Sequence, residues 1–416
     1  MYSQAKNILK NNSKIFENYF FMTLLQFINA IFSILIYPYI IRKLGIEQYG
    51  NFVFSNTLAG YFSSFVAFGF ALPSVKIIAQ NQDNSDVKSK VASAIFTAKT
   101  WLALLSVLVF AIVVTAIAPL RANWYLNAIC FLQLFTDLLF PVWLFQGLQK
   151  MRNVTMIQLS CRFLSLPFIF IFIKHPCDTI LYAWITTLTS LAGGIAAFVL
   201  IVSKEKIAIR FVSFRQLKMH FKEALPFFYM SIASDVKEYT GRILIGSFFS
   251  MRDLAIYDLA NKVVLIPRFI TNNINSAIFP QVVKKYRLDK IKKIIAYEYL
   301  LGFAIMVLVA LISHPVIIML GGKAMLDAYP VSIILSFTIV VWLVVGAYIN
   351  FVFVPNKQNY HVTWNQLIAL VTFLLFAVVA LLINPSIINI ALAMSFSGLI
   401  EIIYCRIVIK KKQLMK

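Results

Sequence analysis

Twelve apolar runs occupy most of this chain, at 19–41, 52–75, 100–118, 123–145, 154–173, 179–202, 226–248, 258–282, 296–320, 331–354, 361–383 and 387–405. Each is close to the roughly 20 residues that carry an α-helix across the hydrocarbon core of a bilayer. None shows the period-two alternation of a membrane strand. The expected fold is therefore all-α and integral to a membrane, with about twelve transmembrane helices. Composition agrees: 61% of the 416 residues are hydrophobic and 13% are charged, against roughly 25% charged in a soluble domain. A chain this apolar must be solvated largely by lipid. Its 38 Phe and 18 Tyr suit wide apolar faces and headgroup-level anchors. Lys6, Lys10 and Lys14 precede the first run, which is too long for a signal-peptide core and has no small-x-small cleavage site after it, so it reads as a retained first helix.

The formal net charge of +22 suggests nucleic acid, but the basic residues lie in gaps between apolar runs and form no separate domain, so no nucleic-acid partner is expected. With the N-terminus placed in the cytoplasm, 27 of the 38 Lys and Arg fall on the cytoplasmic side, 6 fall outside and 5 lie within runs. Cytoplasmic loops retain basic residues, so both termini are expected inside. The gaps are short, the longest near 76–99 and 203–225, and hold at most interfacial helices. Cys130, Cys161, Cys177 and Cys405 are scattered in or beside apolar runs without metal-ligand spacing. No metal site and no cofactor are expected.

The chain repeats itself at half its length. Tyr49-Gly50 opens the second run and Tyr257-Asp258 the eighth, 208 residues on. Gln149-Lys150-Met151-Arg152-Asn153-Val154-Thr155 follows the fourth run and Lys357-Gln358-Asn359-Tyr360-His361-Val362-Thr363 the tenth, at the same offset. Two halves that begin on one side are parallel repeats, the arrangement of carriers that work by alternating access. The expected organisation is two pseudo-symmetric six-helix lobes, 1–210 and 211–416. The plain alternative is an old duplication without functional symmetry.

Three segments resemble the Wzx-type O-antigen flippases, a polysaccharide-transporter branch of the multidrug/oligosaccharidyl-lipid/polysaccharide exporter superfamily. They are Tyr37-Pro38-Tyr39 through Leu44-Gly45-Ile46-Glu47-Gln48-Tyr49-Gly50, Trp143-Leu144-Phe145-Gln146-Gly147-Leu148-Gln149-Lys150-Met151, and Ile243-Leu244-Ile245-Gly246 through Ala255-Ile256-Tyr257. The resemblance implies twelve helices in two lobes, a bacterial inner-membrane location, and a substrate of undecaprenyl-diphosphate bearing one oligosaccharide repeat. A polysaccharide polymerase and a chain-length regulator are the candidate protein partners.

Charges inside membrane runs are costly and default to functional hypotheses. Asp235, Glu238 and Arg242 fall at i, i+3 and i+7 on one face of the seventh run, with Lys237 off that face. Asp258 and Lys262 pair at i, i+4 in the eighth, and Arg268, Asn272 and Asn275 form a second polar stripe. The functional reading is a cationic lumen. Arg242, Lys262 and Arg268, with Lys237, would hold a diphosphate, for which the forked guanidinium is well shaped. Asn272 and Asn275 would bond sugar hydroxyls, and Asp235 and Glu238 would take a coupling proton. The plain reading is that these groups neutralise one another and hold helices in register. Asp137 and Arg162, in the fourth and fifth runs, read as a bare inter-helix ion pair. Gln26, Asn29 and Ser33 read as packing on the first helix, His361 as a solvated or capping residue, and His175 and His314 carry no role.

No Gly-rich phosphate loop, clustered His and acid, or nucleophile elbow occurs, so no ATPase or hydrolase is expected. Two competing functions follow from the same features. One is a cation-coupled multidrug or metabolite exporter of the same superfamily, in which many members carry an acid in the first span, where 19–41 has none. The other is a membrane-embedded polymerase or glycosyltransferase, which needs a longer outside loop than any here.

Overall fold

The computed structural model describes residues 2–284 and 288–415, and within them the chain is helical with no strand. The helices are α1 Tyr2–Leu44, α2 Ile46–Ala67, α3 Ala71–Gln80, α4 Ser85–Ala116, α5 Ala118–Ala122, α6 Trp124–Phe131, α7 Gln133–Leu139, α8 Val142–Gly147, α9 Met151–Phe172, α10 Thr179–Ser203, α11 Phe214–Phe248, α12 Met251–Lys284, α13 Leu288–Gly321, α14 Ala328–Ala347, α15 Asn359–Ile383 and α16 Ile387–Lys411. A π-helical stretch, Tyr348–Phe353, extends α14.

Among the described residues nine helical segments are long and apolar enough to cross a membrane, or ten if the bent pair α2 and α3 counts as one. This is a multi-pass membrane protein. Two of the twelve expected spans, 226–248 and 258–282, lie on α11 and α12, whose eight and six charged residues make them too polar to qualify by composition. The fourth expected span is broken into α6, α7 and α8 rather than continuous. Pro141 lacks an N–H and turns Phe140 out of the helical region, to φ −106° and ψ 78°. The 208-residue offset recurs in the element boundaries. Met151 and Asn359 open α9 and α15, Thr179 and Ile387 open α10 and α16, and Ser203 and Lys411 close them.

The chain forms two compact units, 1–33 with 55–232, and 34–54 with 233–416. In the first, Phe70, Ile78, Leu144, Phe145, Val154, Ala197 and Ile201 are fully buried and build one core. At the α2–α3 bend Gly69 has φ +69°, and a Cβ there would come within 2.5 Å of the Phe228 backbone nitrogen. Only glycine allows both the left-handed turn and that approach. Phe68 stacks on Phe228 beside it, with ring centroids 4.3 Å apart.

Two side-chain devices tie this unit's connections. Ser89, Ser93 and Thr97 of α4 accept from the backbone N–H groups of Ala208, Arg210 and Val212 at 3.2, 3.0 and 3.3 Å. Four helical residues rise about 6 Å and two extended ones about 6.6 Å, so a helix row and an extended segment stay in register over this length. The second device is Asn18. Its Nδ2 donates to the Gln149 carbonyl and its Oδ1 accepts from the Met151 N–H, both at 2.8 Å, which satisfies the turn between α8 and α9. Asn18→Ala should cost about 1–3 kcal/mol by stranding two backbone groups. Denaturant titration of the purified protein checks this, and an unchanged midpoint would mean water replaces the amide freely.

In the second unit α14 is apolar on all sides and packs against α12, α13 and α16, as a fully enclosed helix must. The start of α2 belongs to this unit. A Cβ on Gly50 would lie 1.9 Å from the Met251 carbonyl oxygen, so Gly50 marks a close backbone contact with the first residue of α12.

Candidate functional site: a charged cavity within the second unit

The polar residues of α11 and α12 converge on two carboxylates. Asp258, 6% exposed, pairs with Lys262 one turn on, as the i, i+4 spacing requires. The Tyr49 hydroxyl donates to Asp258 Oδ2 at 2.9 Å, and Lys262 Nζ donates to the Tyr49 oxygen at 2.8 Å. Lys262 also lies over the rings of Tyr37 and Tyr49, at 5.2 and 5.5 Å from their centroids. Arg242 Nε is 4.0 Å from Asp258 Oδ1 and makes no hydrogen bond.

Glu238 is the second node. Its Oε1 lies 3.7 Å from Arg242 Nη2 and its Oε2 lies 3.9 Å from Arg268 Nη2. The Arg268 guanidinium sits on the face of Trp342, 3.6 Å from the ring centroid. Nearby, Lys237 Nζ pairs with Glu401 Oε1 at 2.5 Å, and Asn365 donates to the other oxygen of Glu401 at 3.5 Å. Lys237, Glu238, Arg268, Trp342 and Glu401 line a cavity of about 170 Å³, together with Tyr257, Asn261 and Gln366, while Arg242, Asp258 and Lys262 stand behind its wall. That volume is well above the roughly 10–15 Å³ a single water needs. Charge in membrane helices is tolerable here because it is paired.

The structure thus brings together Lys237, Glu238, Arg242, Asp258, Lys262 and Arg268. Lys237, expected off the working face, reaches the cavity. Asp235 lies on the same helix, one turn before Glu238. Asn275 is buried and donates to the Leu343 carbonyl at 3.2 Å, which places it in the packing of α12 against α14. The Asn272 side chain lies outside the described residues. In the first unit the expected Asp137–Arg162 pair is not formed. Lys99 and Ser63 are the neighbours of Asp137, and Arg162 lies over the Phe32 ring at 5.0 Å. Lys99, counted from sequence as a loop cation, is buried at 9% exposure. His361 Nδ1 is bonded to the Tyr404 hydroxyl at 2.9 Å.

Sequence reasoning missed Glu401, Tyr37, Tyr49 and Trp342. A lone carboxylate inside the last apolar run was the available signal for Glu401. The same signal marks Glu298 on α13, 3% exposed and beside the Asn275 amide. Tyr37 and Tyr49 stand in a segment that carries the resemblance, which was their available signal, whereas nothing in sequence distinguishes Trp342 from the other aromatics.

A multi-pass helical chain with a charged cavity among its helices has the build of a membrane transport protein. Its fold is similar to the lipid II flippase MurJ in an inward closed conformation, with TM-score 0.72 at 14% identity over 94% of this chain and 87% of that one. It is also similar to an inward-facing multidrug resistance MATE family transporter of the MOP superfamily, with TM-score 0.66 at 13% identity over 92% and 98%. The sequence profile of the polysaccharide biosynthesis protein family matches residues 15–284, and the chain belongs to that family. A curated relative from Escherichia coli (strain K12), named "Putative O-antigen transporter", is 26% identical over 287 residues, 68% of this chain and 69% of the relative. A relative of the same name from Shigella dysenteriae is 24% identical over 285 residues, 68% and 72% of the two chains. These matches bear out the resemblance to Wzx-type flippases.

Proposed function

We propose that this protein flips an undecaprenyl-diphosphate-linked oligosaccharide repeat from the cytoplasmic to the periplasmic leaflet of a bacterial inner membrane, by alternating access. The observation that carries this reading is the cavity in the second unit, where cations, amides and aromatic faces meet inside a bundle of membrane helices. Arg268 and Lys237, with Arg242 and Lys262 behind them, hold the diphosphate, and Asn261 and Gln366 of the cavity wall bond sugar hydroxyls in place of the buried Asn275. Four cations face three carboxylates in the ion pairs described, so the lumen is nearly balanced rather than uniformly cationic. An anionic headgroup then binds by sharing cations with Asp258, Glu238 and Glu401, which keeps binding weak enough for release. Glu238, which lines the cavity, and Asp235, one turn before it, take a coupling proton in this reading. The membrane potential, negative inside, favours outward movement of an anion by roughly 2.3 kcal/mol per charge per 100 mV.

The test is polysaccharide export in a strain lacking its own transporter. Expression of this chain should restore surface polysaccharide, and failure at normal protein level with a matched repeat unit would defeat the reading. The proposed sidedness has its own check. A cysteine at Lys416 should resist, and one in the 321–330 loop should accept, a membrane-impermeant thiol reagent applied to intact cells. Labelling of the Lys416→Cys variant would reverse the topology.

A further inference from the structure

A second cavity, of about 270 Å³, lies between the N-terminal part of α13, the π-helical stretch and the end of α16. Its walls carry Lys292, Arg406 and Lys410, with Ile295, Ile409 and Tyr348 at its base. The three cations are exposed, while Ile295, Ile409 and Tyr348 are buried at 6–8% exposure. Among the described residues none of the three cations forms an ion pair. The acids nearest in sequence are accounted for elsewhere: Glu401 is paired to Lys237, Glu298 is buried, and Asp289 is exposed and lines no part of the cavity. Arg406 is steadied by the Tyr299 ring, 5.1 Å from its guanidinium carbon. This charge pattern is opposite to that of the first cavity, where every cation named has a carboxylate.

The surroundings say what kind of molecule fits. Between Lys293 and His314 the exposed residues of α13 are apolar apart from the Tyr297 hydroxyl, with Leu300, Val307 and Leu311 recurring at helical spacing. On α16, Ile403 and Ile407 are exposed in the same way ahead of Lys410. Cations at the end of a long apolar face stand at headgroup depth in a bilayer, and basic pockets between helix ends hold anionic lipid headgroups.

We propose that this cavity binds the phosphate of an anionic lipid in the cytoplasmic leaflet, its hydrocarbon chain lying along α13 and α16. The leaflet rests on the sidedness proposed above; the ligand chemistry does not. Two lipids share that chemistry, a phospholipid and the polyprenyl diphosphate on which a substrate rides.

Native mass spectrometry of the detergent-purified full-length protein tests it, with dioleoyl phosphatidylglycerol, farnesyl diphosphate, inorganic pyrophosphate and, as the zwitterionic control, dioleoyl phosphatidylcholine as probes. One lipid phosphate should bind in preference to phosphatidylcholine, and Arg406→Gln and Lys410→Gln should each weaken it about fivefold. Lys411→Gln, an exposed cation outside the cavity, should leave it unchanged. Arg406→Lys should retain part of the affinity and guards against loss by misfolding. Binding of both lipid probes identifies a general lipid-phosphate site. Phosphatidylglycerol alone identifies a structural phospholipid, and farnesyl diphosphate alone a substrate-entry site. Equal affinity in wild type and both Gln variants overturns the proposal, as does binding of pyrophosphate alone. The export assay separates the two readings, because lipid binding that persists when export cannot be restored defeats only the flippase function.

Discussion

Replacing Asp258 with alanine is expected to cost about 3–5 kcal/mol of stability, the usual result of stranding buried charge. The carboxylate is buried and is the shared partner of Lys262, Arg242 and the Tyr49 hydroxyl. Without it two cations face each other in a low-dielectric interior. Arg242 keeps Glu238 at 3.7 Å, but Lys262 keeps only two aromatic faces and the Tyr49 oxygen. Cation–π contacts of that kind return roughly 0.5–2 kcal/mol, too little to balance the loss. The measurement is membrane abundance together with denaturant unfolding in detergent. The Asp258→Ala/Lys262→Met double variant should recover more than half of the loss, because the stranded charge leaves with its partner. If the single variant is as stable as wild type, water reaches Asp258 and the node is not a buried one. The double variant is also informative for transport. On the proposed function it should reach the membrane and still export poorly, since Lys262 serves the diphosphate.

Arg268→Ala should do the reverse, sparing abundance and lowering export by at least about thirtyfold, the effect of losing roughly 2 kcal/mol of charged binding. Of the paired cations lining the cavity, Arg268 has the looser contact, 3.9 Å to Glu238, against 2.5 Å for Lys237 to Glu401. Its removal leaves Glu238 with Arg242, so the folded state loses little. The guanidinium lies over Trp342 rather than being gripped by a carboxylate, which leaves donors for a phosphate or a sugar. Arg268→Lys keeps the charge without the fork, so it should restore export only in part. Full export by Arg268→Ala at normal abundance would remove Arg268 from the substrate path. Loss of protein and export together would make it a structural partner of Glu238, and Arg268→Ala/Glu238→Gln should then bring the protein back.

Much of this was legible before any coordinates. Run length and the lack of period-two alternation imply a helical membrane protein, because backbone groups in lipid must be satisfied within the segment. The i, i+4 pairs Glu238–Arg242 and Asp258–Lys262 are local, so helical geometry alone brings them together. The breaks were harder to read. Pro141 sits inside an apolar run, and hydropathy averages over the residue that interrupts the helix. The expected Asp137–Arg162 pair failed for a related reason: charge sign names possible partners, and only packing selects among them. Asp137 faces Lys99 across two helices, while Arg162 settles over an aromatic ring.

The sequence by itself thus determined the solvent, the element type, the repeat and which helices bear charge, since each depends on spacing along one chain. Tertiary structure decided the rest. It joined Tyr49 to Asp258 across 209 residues and Lys237 to Glu401 across 164. It laid Arg268 on Trp342 and, among the described residues, left Lys292, Arg406 and Lys410 without carboxylate partners. Those pairings depend on which helix faces meet, and one chain's periodicity says which face is polar but not which neighbour it meets.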